Sequence, residues 1–89
     1  MEFEWSEEKR LWTLNDRGLE FRDAYRLFDG RPTYTYASPR ADEARFVAVG
    51  ILERKCIAVV WMDRLDIRRV ISMRRARRGE ERTLRTLHD

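Results

Sequence analysis

Three runs rich in Val and Ile decide the fold of this 89-residue chain: RFVAVGIL at Arg45–Leu52, CIAVVWM at Cys56–Met62 and IRRVISM at Ile67–Met73. Such residues favour strands, because branched side chains pack well on a pleated surface. Short polar turns at Glu53–Lys55 and Asp63–Asp66 separate the runs. Links this short suit antiparallel hairpins, since a parallel connection needs about a dozen residues or more. These runs therefore predict an antiparallel meander.

The N-terminal residues predict an edge strand followed by a helix. Met1–Trp5 alternates apolar with acidic side chains, a pattern typical of a short edge strand. Ser6 is a favourable N-cap, because its hydroxyl can accept a hydrogen bond from a backbone N–H of the first turn. We expect the helix to run to about Asn15 or Arg17 and to stop at Gly18, since glycine adopts the left-handed conformation that ends many helices.

A second helix and a second edge strand follow. The apolar residues of Phe21–Phe28 have the i, i+3, i+4, i+7 spacing of an amphipathic helix, which is expected to end at Asp29-Gly30. Threonine alternates with tyrosine in Pro32–Tyr36, and the proline confines this strand to a sheet edge. The polar stretch Ser38–Ala44 is expected to be a loop.

The C-terminal segment Arg74–Leu87 predicts a helix capped by Ser72. On a helical wheel its apolar arc and its arginine stripe lie on opposite sides. The arc contains Met73, Ala76, Thr83, Leu84 and Leu87, and the stripe contains Arg75, Arg78, Arg82 and Arg85. Glu80 falls inside the apolar arc, where an unpaired carboxylate would be costly. We therefore expect Glu80 to pair with an arginine of the sheet, and Arg69 is the favoured partner.

These elements predict one α+β domain over residues 1–89, with two N-terminal helices, a small antiparallel sheet of three to four strands and one C-terminal helix. No apolar run reaches the roughly 18–20 residues of a membrane span, and no signal-peptide pattern opens the chain, so a cytoplasmic location is expected. Cys56 lies in an apolar run and is expected to be a small buried residue. One Cys and one His fall short of a zinc site, and no metal or other cofactor is predicted.

Charge is distributed unevenly along the chain. Residues 1–63 carry 10 basic and 12 acidic side chains, whereas residues 64–89 carry nine arginines and four acids. Arginine binds phosphate and carboxylate groups through a planar, bidentate fork. The C-terminal excess therefore points to a polyanionic partner, either nucleic acid or an acidic protein surface. The alternative is that an arginine-rich composition only decorates a solvated face.

Four segments contain motifs in a defined order: FEWSEEK at 3–9, GLEFRDA at 18–24, EARFVAVG at 43–50 and RVISMRRA at 69–76. In this order and spacing they resemble the BrnT family of toxins. The first is similar to the family's F-E-W-D-x-x-K start, and the last to its R-I-I-S-A-R-R-A signature.

The resemblance implies a RelE-like fold, in which helices pack on an antiparallel sheet. It implies an endoribonuclease that cleaves RNA and stops translation. It also implies a cognate antitoxin of the BrnA kind, which masks the toxin in a complex of two copies of each chain. DNA is then bound only through the antitoxin.

The chain departs from the family pattern at one functional position. Where the family has K-H-G, this chain has Asp16-Arg17-Gly18. Histidine exchanges protons near neutral pH, but arginine does not, because its pKa exceeds about 12. His88 lies near the C-terminus, where we expect a frayed helix end. We therefore expect a pH–rate profile without a limb near 6–7.

The candidate catalytic residues are consequently cations that bind and stabilise the phosphate. Arg45, Arg69, Arg74 and Arg75 are the candidate clamp, with Lys9 and Arg17 facing it from the first helix. Candidate RNA-binding residues are Arg74, Arg75, Arg78 and Arg82. Each has a structural alternative: Lys9 as a solvated helix residue, for example, or Arg45 and Arg69 as braces for Glu80.

Three functions remain open from the sequence. The first is an active toxin ribonuclease. The second is a toxin-fold binding module that binds an antitoxin or RNA without cleaving it. The third is a stand-alone nucleic-acid binder, which lacks support from any helix-turn-helix, zinc-finger or ribonucleoprotein motif.

Overall fold

The computed structural model describes residues 1–40 and 43–88. Its elements, in chain order, are β1 (Glu2–Trp5), α1 (Glu7–Arg17), a 3₁₀ helix (Phe21–Phe28), β2 (Thr33–Arg40), β3 (Glu43–Leu52), β4 (Lys55–Arg64), β5 (Ile67–Arg75) and α2 (Arg78–His88). The predicted α+β class is confirmed. The second predicted helix is present as a 3₁₀ helix.

The five strands form one sheet in the order β1-β5-β4-β3-β2. Strands β2 to β5 form the predicted antiparallel meander. The sheet is nevertheless mixed, because β1 pairs with β5 in parallel and Trp5 lies opposite Val70. The expectation of a purely antiparallel sheet of three or four strands was wrong. Two helices and three strands separate β1 from β5, which leaves enough chain for a parallel connection.

The hairpins are tighter than the sequence predicted. Glu53 and Arg54 both have positive φ (51° and 67°), as a two-residue hairpin turn requires, and Lys55 already belongs to β4. The predicted loop Ser38–Ala44 was wrong at both ends. Ser38 pairs with Arg45, and the pairing continues toward the hairpin end. Residues 41 and 42 of that loop lie outside the described residues.

The ends of α1 confirm the predicted caps. Ser6 Oγ accepts a hydrogen bond from the Lys9 backbone N–H at 3.3 Å. Gly18 has φ of 70° and donates its N–H to the Leu14 carbonyl at 3.0 Å. Both contacts satisfy backbone groups that a helix end leaves without partners.

One face of the sheet is covered by α1 and the 3₁₀ helix. Phe21, Ala24 and Leu27 pack there against Ile57 and other buried strand residues. Gly50 permits this close packing, because a Cβ at that position would lie 2.8 Å from Leu27 Cδ2.

The opposite face is covered only in part, by α2. Leu84 of this helix packs against Val47, Val49, Cys56 and Ala58. Cys56 is 6% exposed, which confirms the prediction of a buried thiol. Burial also raises its pKa.

The predicted start of the C-terminal helix was wrong. Arg74 and Arg75 extend β5 by pairing with Ala58 and Ile57, so Ser72 lies within a strand and caps nothing. The helix begins only at Arg78. It also continues to His88, whose Nε2 lies 2.8 Å from the Thr33 carbonyl oxygen, instead of fraying before it. No helix in residues 1–40 and 43–88 is long and apolar enough to span a membrane.

Candidate functional site

The part of the sheet that α2 leaves uncovered carries a group of polar side chains. Alternation along a strand places Glu43, Arg45 and Val47 on the same face of β3. On β5, Arg69 lies opposite Met62 and Arg74 lies opposite Ala58, which puts both arginines on that face. The strands thus direct cations from β3 and β5 toward one surface.

Two adjoining cavities open on this surface, and they share Arg45 and Ile71. The first, which we call the Arg45 cavity, measures about 170 Å³. It is lined by Ser6, Lys9, Glu43, Arg45, Met62, Arg64, Arg69, Val70 and Ile71. The second, the Tyr36 cavity, measures about 250 Å³. It is lined by Tyr36, Ser38, Arg45, Val47, Val60, Ile71, Ser72, Arg74 and Arg77.

Arg45 has an unfilled hydrogen-bonding position. Its Nη2 lies 3.3 Å from Glu43 Oε2, and its side chain is 31% exposed. Its Nε–H is buried and has no hydrogen-bond partner within the described residues. A buried donor without a partner is costly, and Arg45 nevertheless lines both cavities.

Arg69 is held by a different carboxylate from the one the sequence suggested. Its Nη1 donates to Glu4 Oε2 at 3.1 Å, across the parallel pair of β1 and β5. The predicted pairing with Glu80 was therefore wrong. Glu80 lies at the start of α2 and is bound by Arg74, which is nearer along the chain.

Glu80 fastens α2 to the sheet through four hydrogen bonds. Arg74 donates to both carboxylate oxygens, at 2.8 and 2.9 Å. The Tyr36 hydroxyl donates at 2.5 Å, and the Arg77 backbone N–H donates at 2.7 Å. The last contact caps α2, because a glutamate in the first turn can reach back to the N-cap N–H. Chiefly because of the Arg74 hydrogen bonds, the pKa of Glu80 is lowered to about 2.

Tyr36 is a site residue that sequence reasoning missed. Its ring stacks on Tyr34 with centroids 5.3 Å apart, and it lines the cavity beside Arg45 and Arg74. Burial and the hydrogen bond to Glu80 raise the pKa of its hydroxyl. The Thr-Tyr alternation of Pro32–Tyr36 already placed both rings on one face, which was the available signal.

Arg64 was missed for a different reason. The sequence assigned it to a turn, but β4 continues through it and pairs it with Ile67. Continuing the alternation of Val60 and Met62 would have placed it on the open face.

The structure divides the six candidate catalytic cations. Lys9, Arg45 and Arg69 line the Arg45 cavity, and Arg74 borders the Tyr36 cavity. Arg75 pairs with Ile57, a residue of the opposite face, and so lies on the other side of the sheet from Arg74. Arg17 donates to the Met73 carbonyl at 2.9 Å and lies over the Trp12 ring at 5.1 Å.

The candidate RNA-binding arginines are likewise spread over several surfaces. Arg78 and Arg82 are exposed on α2, while Arg74 is largely enclosed by its pair with Glu80. Among the described residues, no cluster of three His, Cys, Asp or Glu side chains is suited to hold a metal ion. The Arg45 cavity instead combines an ammonium group, guanidinium groups and one carboxylate, which suits it to bind phosphate.

Comparison with known proteins agrees with the resemblance seen in the motifs. No curated protein sequence matches the chain. Residues 5–80, however, match a family described as "Ribonuclease toxin, BrnT, of type II toxin-antitoxin system". The match runs from Trp5, the last residue of β1, to Glu80 in the first turn of α2, and it includes every residue that lines the Arg45 cavity. The chain therefore belongs to the BrnT family of ribonuclease toxins.

Proposed function

We propose that this chain is an endoribonuclease that inhibits translation and binds the scissile phosphate of RNA in the Arg45 cavity. The observation that carries the proposal is the convergence of four cationic side chains, Lys9, Arg45, Arg64 and Arg69, on one cavity. The exposed part of the Arg45 guanidinium would bind a phosphate oxygen, and the other three cations would share the phosphate charge.

Fixed cations of this kind suit RNA cleavage by a neighbouring 2′-hydroxyl. The pentacoordinate transition state carries more negative charge on the phosphate oxygens than the ground state does. Preorganised donors that bind this additional charge are often the largest single contribution to catalysis. The carboxylate of Glu4 holds Arg69 in place before RNA binds, while the Glu43 carboxylate lies beside Arg45 at 3.3 Å.

The other candidate cations take secondary parts in this proposal. Arg74 forms part of the wall of the Tyr36 cavity, and its guanidinium is already hydrogen-bonded to Glu80. Arg75 and Arg17 lie on the α1 side of the sheet and would bind flanking RNA rather than the scissile phosphate. Arg78 and Arg82 on α2 would add non-specific attraction, which is screened beyond about 8 Å.

The proposed inhibitor is a BrnA-like antitoxin in a complex of two toxins and two antitoxins. Membership of a type II toxin–antitoxin family implies an antitoxin partner. A surface rich in arginine favours acidic residues on that partner, which would exclude RNA and neutralise charge together. DNA binding would then belong to the antitoxin.

The test compares Arg45→Gln and Arg69→Gln with Arg26→Gln, which lies on the 3₁₀ helix and pairs with Glu53. Each cavity variant should cut the cleavage rate about 10-fold or more. Each should also flatten the slope of log affinity against log salt by about 0.7, through loss of one phosphate contact. Arg26→Gln should change neither quantity. Equal losses of cleavage in Arg45→Gln and Arg26→Gln would place the site elsewhere.

A second function, RNA or antitoxin binding without cleavage, is favoured by one observation. Among the described residues, no imidazole lines either cavity, and Arg17 stands where the family resemblance puts histidine. His88 lies at the end of α2 and binds the Thr33 carbonyl. Expression of the chain without antitoxin separates the two functions, because only the active enzyme should arrest growth and produce cleaved RNA.

A further inference from the structure

RNA cleavage through the 2′-hydroxyl needs a base for that hydroxyl and an acid for the leaving 5′-oxygen. Guanidinium groups supply neither, since they hold their protons at all relevant pH values. Of the described residues that line the Arg45 cavity, three have side chains that can exchange a proton: Ser6, Lys9 and Glu43. Ser6 is already occupied in capping α1. Glu43 and Lys9 therefore remain as the candidates for the base and the acid.

We infer that Glu43 and Lys9 perform the two proton transfers, Glu43 as the base and Lys9 as the acid. This assignment rests on the proposed function and goes beyond it. Glu43 and Arg45 are two residues apart on β3 and face the same cavity, with 3.3 Å between Oε2 and Nη2. The carboxylate therefore lies beside the guanidinium that would hold the phosphate.

Lys9 reaches the cavity from a different element. It belongs to the first turn of α1, directly after β1, whereas Glu43 begins β3. Strands β4 and β5 lie between β3 and β1 in the sheet. Because the two groups come from separate elements, a phosphate bound in the cavity can lie between them, as an in-line displacement needs.

Tyr36 is not suited to serve as the base. Its hydroxyl donates a hydrogen bond to Glu80, and burial raises its pKa further from neutrality. The Glu43 carboxylate, in contrast, is 48% exposed and reachable by RNA.

In the proposed step, the 2′-hydroxyl loses its proton to the Glu43 carboxylate while O2′ forms a bond to phosphorus. The bond between phosphorus and O5′ breaks, and O5′ takes a proton from the Lys9 ammonium. The products are a 2′,3′-cyclic phosphate and a free 5′-hydroxyl. Exchange with water returns a proton to Lys9 and removes one from Glu43.

The experiment uses the full chain and two matched pairs of variants. Glu43→Gln is compared with Glu81→Gln, a partly exposed glutamate of α2, and Lys9→Met is compared with Lys55→Met, the other lysine. Cleavage is measured on an ordinary RNA and on the same RNA with sulfur in place of the 5′-bridging oxygen. The sulfur leaves without protonation, so it removes the need for an acid. Binding is measured separately on RNA with a 2′-deoxy sugar at the cleavage position.

Glu43→Gln and Lys9→Met should each slow cleavage of ordinary RNA by about 100-fold or more, while both controls cleave like the wild type. The sulfur substrate should restore Lys9→Met to near the wild-type rate but leave Glu43→Gln slow. Glu43→Gln should retain its affinity for the 2′-deoxy RNA, which a purely structural role in orienting Arg45 would reduce.

Three results would overturn the assignment. One is normal cleavage of ordinary RNA by either variant, and another is restoration of Glu43→Gln rather than Lys9→Met by sulfur. The third is a loss of cleavage by Glu43→Gln that matches its loss of affinity. A wild-type chain that leaves both substrates intact would instead refute the proposed ribonuclease activity, and this assignment would fall with it.

Discussion

Glu80→Gln is the substitution that tests most directly how α2 is attached to the sheet. The Glu80 side chain is 8% exposed and accepts hydrogen bonds from Arg74, Tyr36 and the Arg77 backbone. Glutamine has nearly the same shape but no charge. The change therefore leaves the Arg74 cation without its counter-ion in a largely enclosed position.

The magnitude follows from the pKa of Glu80, which falls from 4.5 to about 2. One pKa unit corresponds to about 1.4 kcal/mol, so the native contacts favour the ionised carboxylate by about 3 kcal/mol. We expect Glu80→Gln to lower the free energy of unfolding at pH 7 by about 2–3 kcal/mol. For a domain of this size the melting temperature should fall by roughly 10–20 °C.

The pH dependence has a definite sign. A carboxyl whose pKa is lowered in the folded state stabilises the protein fully above its unfolded pKa of 4.5, and that stabilisation disappears as the pH falls toward about 2. The difference in unfolding free energy between wild type and Glu80→Gln should therefore be constant from pH 6 to 8 and should shrink between about pH 4.5 and 2.

Urea unfolding followed by circular dichroism measures these differences. Glu81→Gln is the matched control, because Glu81 is on the same helix and pairs with Arg85 at 2.8 Å on the surface. An exposed pair of this kind contributes at most about 1 kcal/mol. If Glu80→Gln and Glu81→Gln destabilise the protein equally, the Glu80 contacts do not hold α2 as described.

Three further predictions concern packing, backbone conformation and the burial of Cys56. Gly50→Ala should lower the free energy of unfolding by about 1–3 kcal/mol, because the added Cβ would meet Leu27 Cδ2 at 2.8 Å; an unchanged urea midpoint would contradict this. Gly18→Ala should cost about 1–2 kcal/mol through its φ of 70° alone, since the space around it is open; the same urea titration measures it. Cys56 should react with a thiol reagent much more slowly in the native protein than in urea, because burial raises its pKa and Leu84 packs over the same cluster. Glu80→Gln should accelerate this native reaction, and equal rates in both proteins would show that α2 stays in place without the carboxylate.

Elements that depend on local chemistry were predictable from the sequence. The cap at Ser6, the stop at Gly18 and the Val/Ile-rich strands each follow from residue preferences within a few positions. The burial of Cys56 follows from its apolar neighbours. These features required no knowledge of distant contacts.

Elements that depend on distant contacts were predicted incorrectly or missed. The wheel of the C-terminal segment placed Arg75 in a helix, yet pairing with β4 holds it in a strand. Helical spacing within one segment does not show whether a neighbouring strand will hold part of that segment in the sheet by backbone hydrogen bonds. The parallel pairing of β1 with β5 depends on distant contacts in the same way. The pairing of Glu80 with Arg74 rather than Arg69 follows from the continuation of β5 through Arg74. The Arg45 cavity could not be predicted from the sequence for the same reason, because its lining residues come from α1, β3, β4 and β5.

The late start of α2 also explains why the Arg45 cavity is open. Because β5 continues to Arg75, the helix starts beyond the ladder, and Glu80 binds it to Tyr36 on β2 as well as to Arg74. The helix therefore packs over β2 and β3, where Leu84 covers Val47 and Val49. A helix that began at Arg74 would remove the pairing of Arg74 with Ala58, and with it the geometry that places Arg74 against Glu80. The arginines of the last third thus act in different ways, since Arg74 fixes the helix whereas Arg69 faces the cavity that this placement leaves uncovered. Under the proposed function, Glu80→Gln should therefore affect RNA cleavage only through the position of α2, whereas substitutions of Arg45 and Arg69 should affect it directly.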